Sequence, residues 1–120
     1  MPDASTPPQL LDVVVDEHPD GAVVIRPHGE IDLLTAPRFT ARMAGALDSG
    51  ARLVVVDLDK VSFFGSAGVA GLARAAERAG EVGAGFRLVV GASMANRVLE
   101  ISGLSQVLEL RPTVEDALVD

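Results

Sequence analysis

Two β-branched runs open the chain, Leu10 to Asp16 and Ala22 to His28, on either side of His18-Pro19-Asp20-Gly21. That turn-forming cluster predicts a hairpin. The period then changes: Ala36, Phe39, Met43, Ala46 and Leu47 recur at helical spacing and predict an amphipathic helix. Thr35 stands at its start as a cap, Pro37 falls where a missing N–H costs little, and Gly50 closes it after Ser49. Arg52 to Asp57 is a short continuous apolar run, the pattern of a strand buried on both faces.

A second helix is expected from about Ser66 to Ala79, stopping at Gly80, and Gly85 to Val90 reads as another buried strand. Ser93 caps a third helix that ends near Gly103, and Val107 to Leu110 reads as a short final strand. Thr113 with Asp116 resembles a capping box at the start of a C-terminal helix. Strands alternating with helices define the α/β class: a mixed, mostly parallel sheet of four to five strands, with the N-terminal hairpin, against about four helices. Met1 to Gln9 has three prolines and no apolar period, so it reads as a flexible segment before one domain over residues 10–120.

Charge and composition narrow the functions open to such a domain. Seventeen acidic residues against ten basic ones leave a formal charge of −7, which disfavours direct contact with nucleic acid or anionic membranes. The absence of cysteine removes disulfides, thiolate metal sites and thiol catalysis. Neither a leader-type N-terminus nor an apolar stretch of bilayer length is present, so no membrane insertion is expected and the location expected is cytoplasmic. Tryptophan and tyrosine are absent, which leaves little with which to stack bases.

Candidate chemistry is sparse. Gly65-Ser66-Ala67-Gly68-Val69-Ala70-Gly71 is glycine-rich at a helix start, yet it has neither the lysine of a P-loop nor the G-x-G-x-x-G spacing of a dinucleotide turn. Ser66 is not on a nucleophile elbow, because its preceding glycine is one residue away and not two. Asp57 and Asp59 lack the further acids and separate lysine of a magnesium phosphotransfer site, and read as solvated acids at a strand end. His18 and His28 have no third ligand at metal spacing. No catalytic residue, cofactor or metal is therefore expected.

On a helical wheel Val69, Leu72, Ala73 and Ala76 share the face expected to pack on the sheet. The other face shows Ala67, Ala70, Gly71, Arg74 and Arg78, small residues followed by cations. It reads either as a surface for close approach by another protein or as an alanine-rich helix covered by a loop. Ser66 can serve as N-cap, and a phosphate there would add charge at the helix end without unfolding the domain.

The run from Val54 through Asp57-Leu58-Asp59 and Phe63-Phe64-Gly65-Ser66-Ala67-Gly68 to Val69 resembles the signature of the STAS domain, typified by bacterial anti-sigma factor antagonists. Gly29-Glu30-Ile31-Asp32 before Thr35-Ala36, and Ile101-Ser102-Gly103-Leu104, resemble two further segments of that family. The resemblance spans about Leu10 to Leu118. It implies a non-enzymatic partner-switching module that binds an anti-sigma factor, often a serine kinase, and so frees a sigma factor. The partner-binding residues implied are Glu30, Asp32 and Leu33 in one loop, with Gly65, Ser66, Ala67, Ala70, Gly71 and Arg74 on the second helix.

Phosphorylated members of the family read Asp-Ser-[Ser/Thr]-Gly where this chain reads Gly65-Ser66-Ala67-Gly68. If the acceptor is the first hydroxyl, Ser66 retains it; if it is the second, Ala67 cannot carry the phosphate. The resemblance also admits a different class, the accessory subunit of a lipid-transport ABC system, and nucleotide binding, for which the chain has no phosphate-binding motif.

Overall fold

The computed structural model describes residues 11–119; the expected flexible segment Met1 to Gln9 lies outside them. The hairpin forms as expected. Strand β1 (Leu11–Glu17) pairs antiparallel with β2 (Ala22–Ile31), and the Asp20 carboxylate accepts the Ala22 N–H at 3.1 Å to hold the turn. Helix α1 (Ala36–Asp48) then returns the chain to β3 (Leu53–Asp57), which lies parallel to the first half of β2.

The next strand, β4 (Val61–Phe64), is one that the apolar pattern does not reveal. It pairs with the far end of β2, beyond a bulge between Gly29 and Glu30. Gly29 takes φ +121° there, a conformation open to glycine at little cost. Helix α2 (Ser66–Val82), β5 (Gly85–Val89), α3 (Ala95–Ser102), a single 3-10 turn, β6 (Glu109–Arg111) and α4 (Val114–Leu118) complete the order. The sheet has six strands in the order β1-β2-β3-β5-β6, with β4 on β2, and every pairing except the hairpin is parallel.

The continuous apolar run in β3 is explained by cover on both faces. Val54 and Val56 enter the large core with Phe39, Met43, Leu72 and Leu99 from α1, α2 and α3. Leu53 and Val55 enter a smaller core beneath Ala117 of α4. Fully burying each such side chain contributes roughly 1.5–3 kcal/mol. Thr113 caps α4 by accepting the Asp116 N–H at 3.0 Å, as its spacing predicts.

Helix α2 departs from expectation in three ways. It runs past Gly80 to Val82 and ends at Gly83, whose φ of +76° makes it the left-handed stop. Its N-cap is Gly65 and Ser66 is its first helical residue, so the Ser66 hydroxyl makes no capping bond. The buried stripe is Gly68, Gly71, Leu72, Ala75 and Ala79, while Ala73 is exposed and Val69 and Ala76 are half-buried. The stripe rotates because α2 packs on α1 as well as on the sheet. A β-carbon at Gly71 would stand 2.7 Å from Thr40 Oγ1 of α1. Gly71 is therefore an intramolecular contact, not part of an outward partner surface.

Candidate functional site

The bulge in β2 sends Ile31 toward the start of α2, where its carbonyl accepts the Gly65 N–H at 2.8 Å. The turn between β2 and α1 is thus tied to the first residue before α2. Inside the turn the Asp32 carboxylate accepts the N–H groups of Leu34 at 2.9 Å and Thr35 at 3.0 Å. These bonds, with the Thr35 backbone foremost, hold the Asp32 carboxyl below the usual carboxylate range. Thr35 is the N-cap by position but makes no capping bond; its hydroxyl donates to the Glu30 carbonyl at 2.7 Å and accepts the Asp32 N–H at 2.9 Å.

With its polar groups turned inward, the turn presents its apolar ones. Leu33 is 83% exposed and Leu34 is 84% exposed. Leu33 forms one end of a groove of about 620 Å³ that runs between α1 and α2. Pro37, Ala41 and Ala44 line its α1 side; Ala67, Ala70 and Arg74 line its α2 side. Open, apolar and about the size of a small-ligand site, it is shaped for contact with another molecule.

Of the sequence-predicted residues, Leu33, Ala67, Ala70 and Arg74 meet in this groove. Gly65 and exposed Ser66 directly precede Ala67 at the start of α2 and do not line the groove. Asp32 shapes the turn through its hydrogen bonds, and half-buried Glu30 pairs with Phe63 of β4. The α1 wall was not anticipated, although Pro37, Ala41 and Ala44 recur at helical spacing beside the core stripe. The 44% exposed Phe63 was likewise missed.

Asp57 is not a simply solvated acid: it lies 3.7 Å from Arg26 and accepts the Asp59 N–H at 3.0 Å. Asp59 in turn accepts the Ala92 N–H at 3.1 Å. Both carboxylates fasten loops. Among the described residues no group of three or more His, Cys, Asp or Glu side chains is placed to hold a metal, and no helix is long and apolar enough to cross a membrane.

An α/β sheet with this strand order, and a tethered turn beside a helix start, defines the class. The STAS domain family model matches residues 13–117, and the chain belongs to that family. It is 32% identical over 111 residues to the anti-sigma-F factor antagonist RsfB of Mycobacterium tuberculosis, covering 92% of this chain and 89% of that protein. With RsfA, an anti-sigma-F factor antagonist of the same organism, it shares 35% identity over 104 residues, 85% of this chain and 81% of that one. The crystal structure of an anti-sigma factor antagonist from Mycobacterium paratuberculosis matches with a TM-score of 0.85 at 33% identity, covering 94% and 95% of the two chains. The unphosphorylated form of the antagonist SpoIIAA has the same fold, with a TM-score of 0.75 at 23% identity over 89% and 93% of the chains.

Proposed function

We infer that this protein is an anti-sigma factor antagonist, which binds an anti-sigma factor and so releases a sigma factor for transcription. The observation that carries this reading is the 32% identity to RsfB across 92% of the chain. The protein acts in the cytoplasm as a regulatory binding module and catalyses no reaction. Its binding surface is the Glu30–Leu34 turn, the Gly65–Ser66 start of α2 and the groove walls at Ala67, Ala70 and Arg74. The exposed Leu33 and Leu34 supply apolar area, and the alanines let a partner approach closely.

Ser66 is the candidate control point. Its hydroxyl is exposed and makes no capping bond, so a phosphate there leaves the helix start intact. The modification brings about 1.5–2 negative charges to the rim of an apolar surface and opposes docking. A chain that is not modified at Ser66 stays in its binding-competent form, because Ala67 has no hydroxyl to take the phosphate. No observation on the chain favours the transport-accessory reading.

The test is a transcription assay reconstituted from RNA polymerase, a sigma factor and its anti-sigma factor. Addition of this protein restores sigma-directed transcripts if the reading holds. Failure to bind the anti-sigma factor, together with co-purification on an ABC-transporter ATPase, would overturn it in favour of the transport class.

A further inference from the structure

The α1–α2 groove is apolar along most of its length, yet it contains one cation. Arg74 lines the main groove and also the smaller cavity of about 220 Å³ that continues from it past Thr40 and Ala44. Among the described residues Arg74 makes no hydrogen bond and no ion pair. Its neighbour one turn on behaves differently: Arg78 pairs with Asp48 at 3.3 Å and with Glu81 at 3.4 Å. Exposed Glu77, three residues along from Arg74, forms no pair with it. In a chain of formal charge −7, an uncommitted guanidinium within an apolar groove is a local reversal of sign.

We propose that this groove receives a helix of the anti-sigma factor, with apolar residues against Ala41, Ala44, Ala67 and Ala70 and one carboxylate on Arg74. The proposal rests on the functional reading above and adds the chemistry of the partner. A helix is favoured over an extended segment because the walls are two helices: their side-chain ridges take a third helix, whereas they present no free strand edge to satisfy an extended backbone. Alanine walls leave the groove open to apolar side chains projecting from the docked segment. The carboxylate follows from the guanidinium, whose planar fork bonds both carboxylate oxygens and gains strength as the surrounding apolar surface excludes water. Leu33 closes one end of the groove and Arg74 marks the other, so the pair also sets the direction and register of the docked helix.

The experiment is calorimetric titration of the full chain with the purified anti-sigma-F factor of Mycobacterium tuberculosis, using wild type, Arg74→Gln, Arg74→Glu and Arg97→Glu. Arg97 is an exposed arginine on α3 outside the groove, so its reversal controls for net charge. The proposal expects Arg74→Gln to weaken binding about tenfold or more and Arg74→Glu further, with Arg97→Glu within about twofold of wild type. It also expects acidic-to-lysine substitution at one helical position of the partner to restore binding to Arg74→Glu.

Wild type that fails to bind overturns the functional reading and this inference with it. Wild type that binds, with Arg74→Glu within twofold or with Arg74→Glu and Arg97→Glu equally weakened, overturns the inference alone. Rescue that maps to a loop of the partner, and not to a helix, overturns the helical docking.

Discussion

The three non-terminal glycines of α2 form an internal series that reports how deeply this helix is seated, and the groove depends on that seating. Gly68, Gly71 and Gly80 all have helical backbone, so replacing each by alanine gains the same kind of helix preference, up to about 1 kcal/mol. Their surroundings differ. At Gly80 an added β-carbon meets nothing within 4 Å, so Gly80→Ala is expected to stabilise by about 0.5–1 kcal/mol and raise Tm by about 3–5 °C. At Gly68 it would stand 2.7 Å from Ile31 Cγ2 and 2.7 Å from Phe64 Cε1, both on buried side chains that cannot swing aside.

Overpacking of this kind costs roughly 1–3 kcal/mol, so Gly68→Ala comes out destabilising or close to neutral. The difference between the two variants isolates the clash, because the helix preference cancels. Gly71→Ala should fall between them: its obstacle is a hydroxyl, Thr40 Oγ1 at 2.7 Å, on a half-buried side chain that can change rotamer. Urea unfolding monitored by far-UV circular dichroism measures all three. If Gly68→Ala stabilises as much as Gly80→Ala, α2 does not press on Ile31 and Phe64. If Gly80→Ala gains nothing, the helix does not continue past residue 80.

Ser66→Asp should weaken anti-sigma factor binding about tenfold while Tm stays nearly constant, since the residue is exposed and makes no capping bond; titration and melting curves check this. Ala70→Arg should abolish or strongly weaken the complex with stability within about 0.5 kcal/mol of wild type, whereas Leu72→Arg, at a fully buried position on the same helix, should unfold the domain. Because the folded Asp32 carboxyl lies below its ordinary range, its contribution to the β2–α1 turn is present at neutral pH and is lost as pH falls through that lowered value. The Thr35 amide resonance should therefore shift at a pH below the ordinary carboxylate range, and Asp32→Asn should remove the step.

Much of this architecture was legible in the chain because local chemistry and burial agree. Val54 to Val56 reads as doubly buried and proves so, with α1–α3 on one side and α4 on the other. The Thr113 cap and the Asp20 turn follow from bonds only two or three residues in span. What escaped is non-local. Strand β4 exists because the bulge at Gly29 frees the end of β2 for a second parallel partner, which Ser62-Phe63-Phe64 alone does not announce. Gly80 reads as a stop, but burial of Ala79 beside it carries the helix on to Gly83.

The site shows the same division. Ala67, Ala70 and Arg74 are legible as one face of a helix, but a wheel oriented by the sheet alone turns Gly71 outward, where packing against Thr40 of α1 buries it. The α1 wall could be found only by knowing that the two helices lie side by side. Asp32 was recognisable as a site residue by resemblance, while its work inside the turn depends on the positions of Leu34 and Thr35 backbone groups.

If an anti-sigma factor covers the β2–α1 turn and the α1–α2 groove, amide hydrogen exchange of the chain alone and in complex with that factor registers the contact segment by segment. Slowed exchange is expected at residues 32–44 and 65–74 and nowhere else. Protection centred instead on the exposed Ile101 and Val107, on the far segment after α3 begins, would contradict it, as would a complex that leaves both predicted segments unchanged.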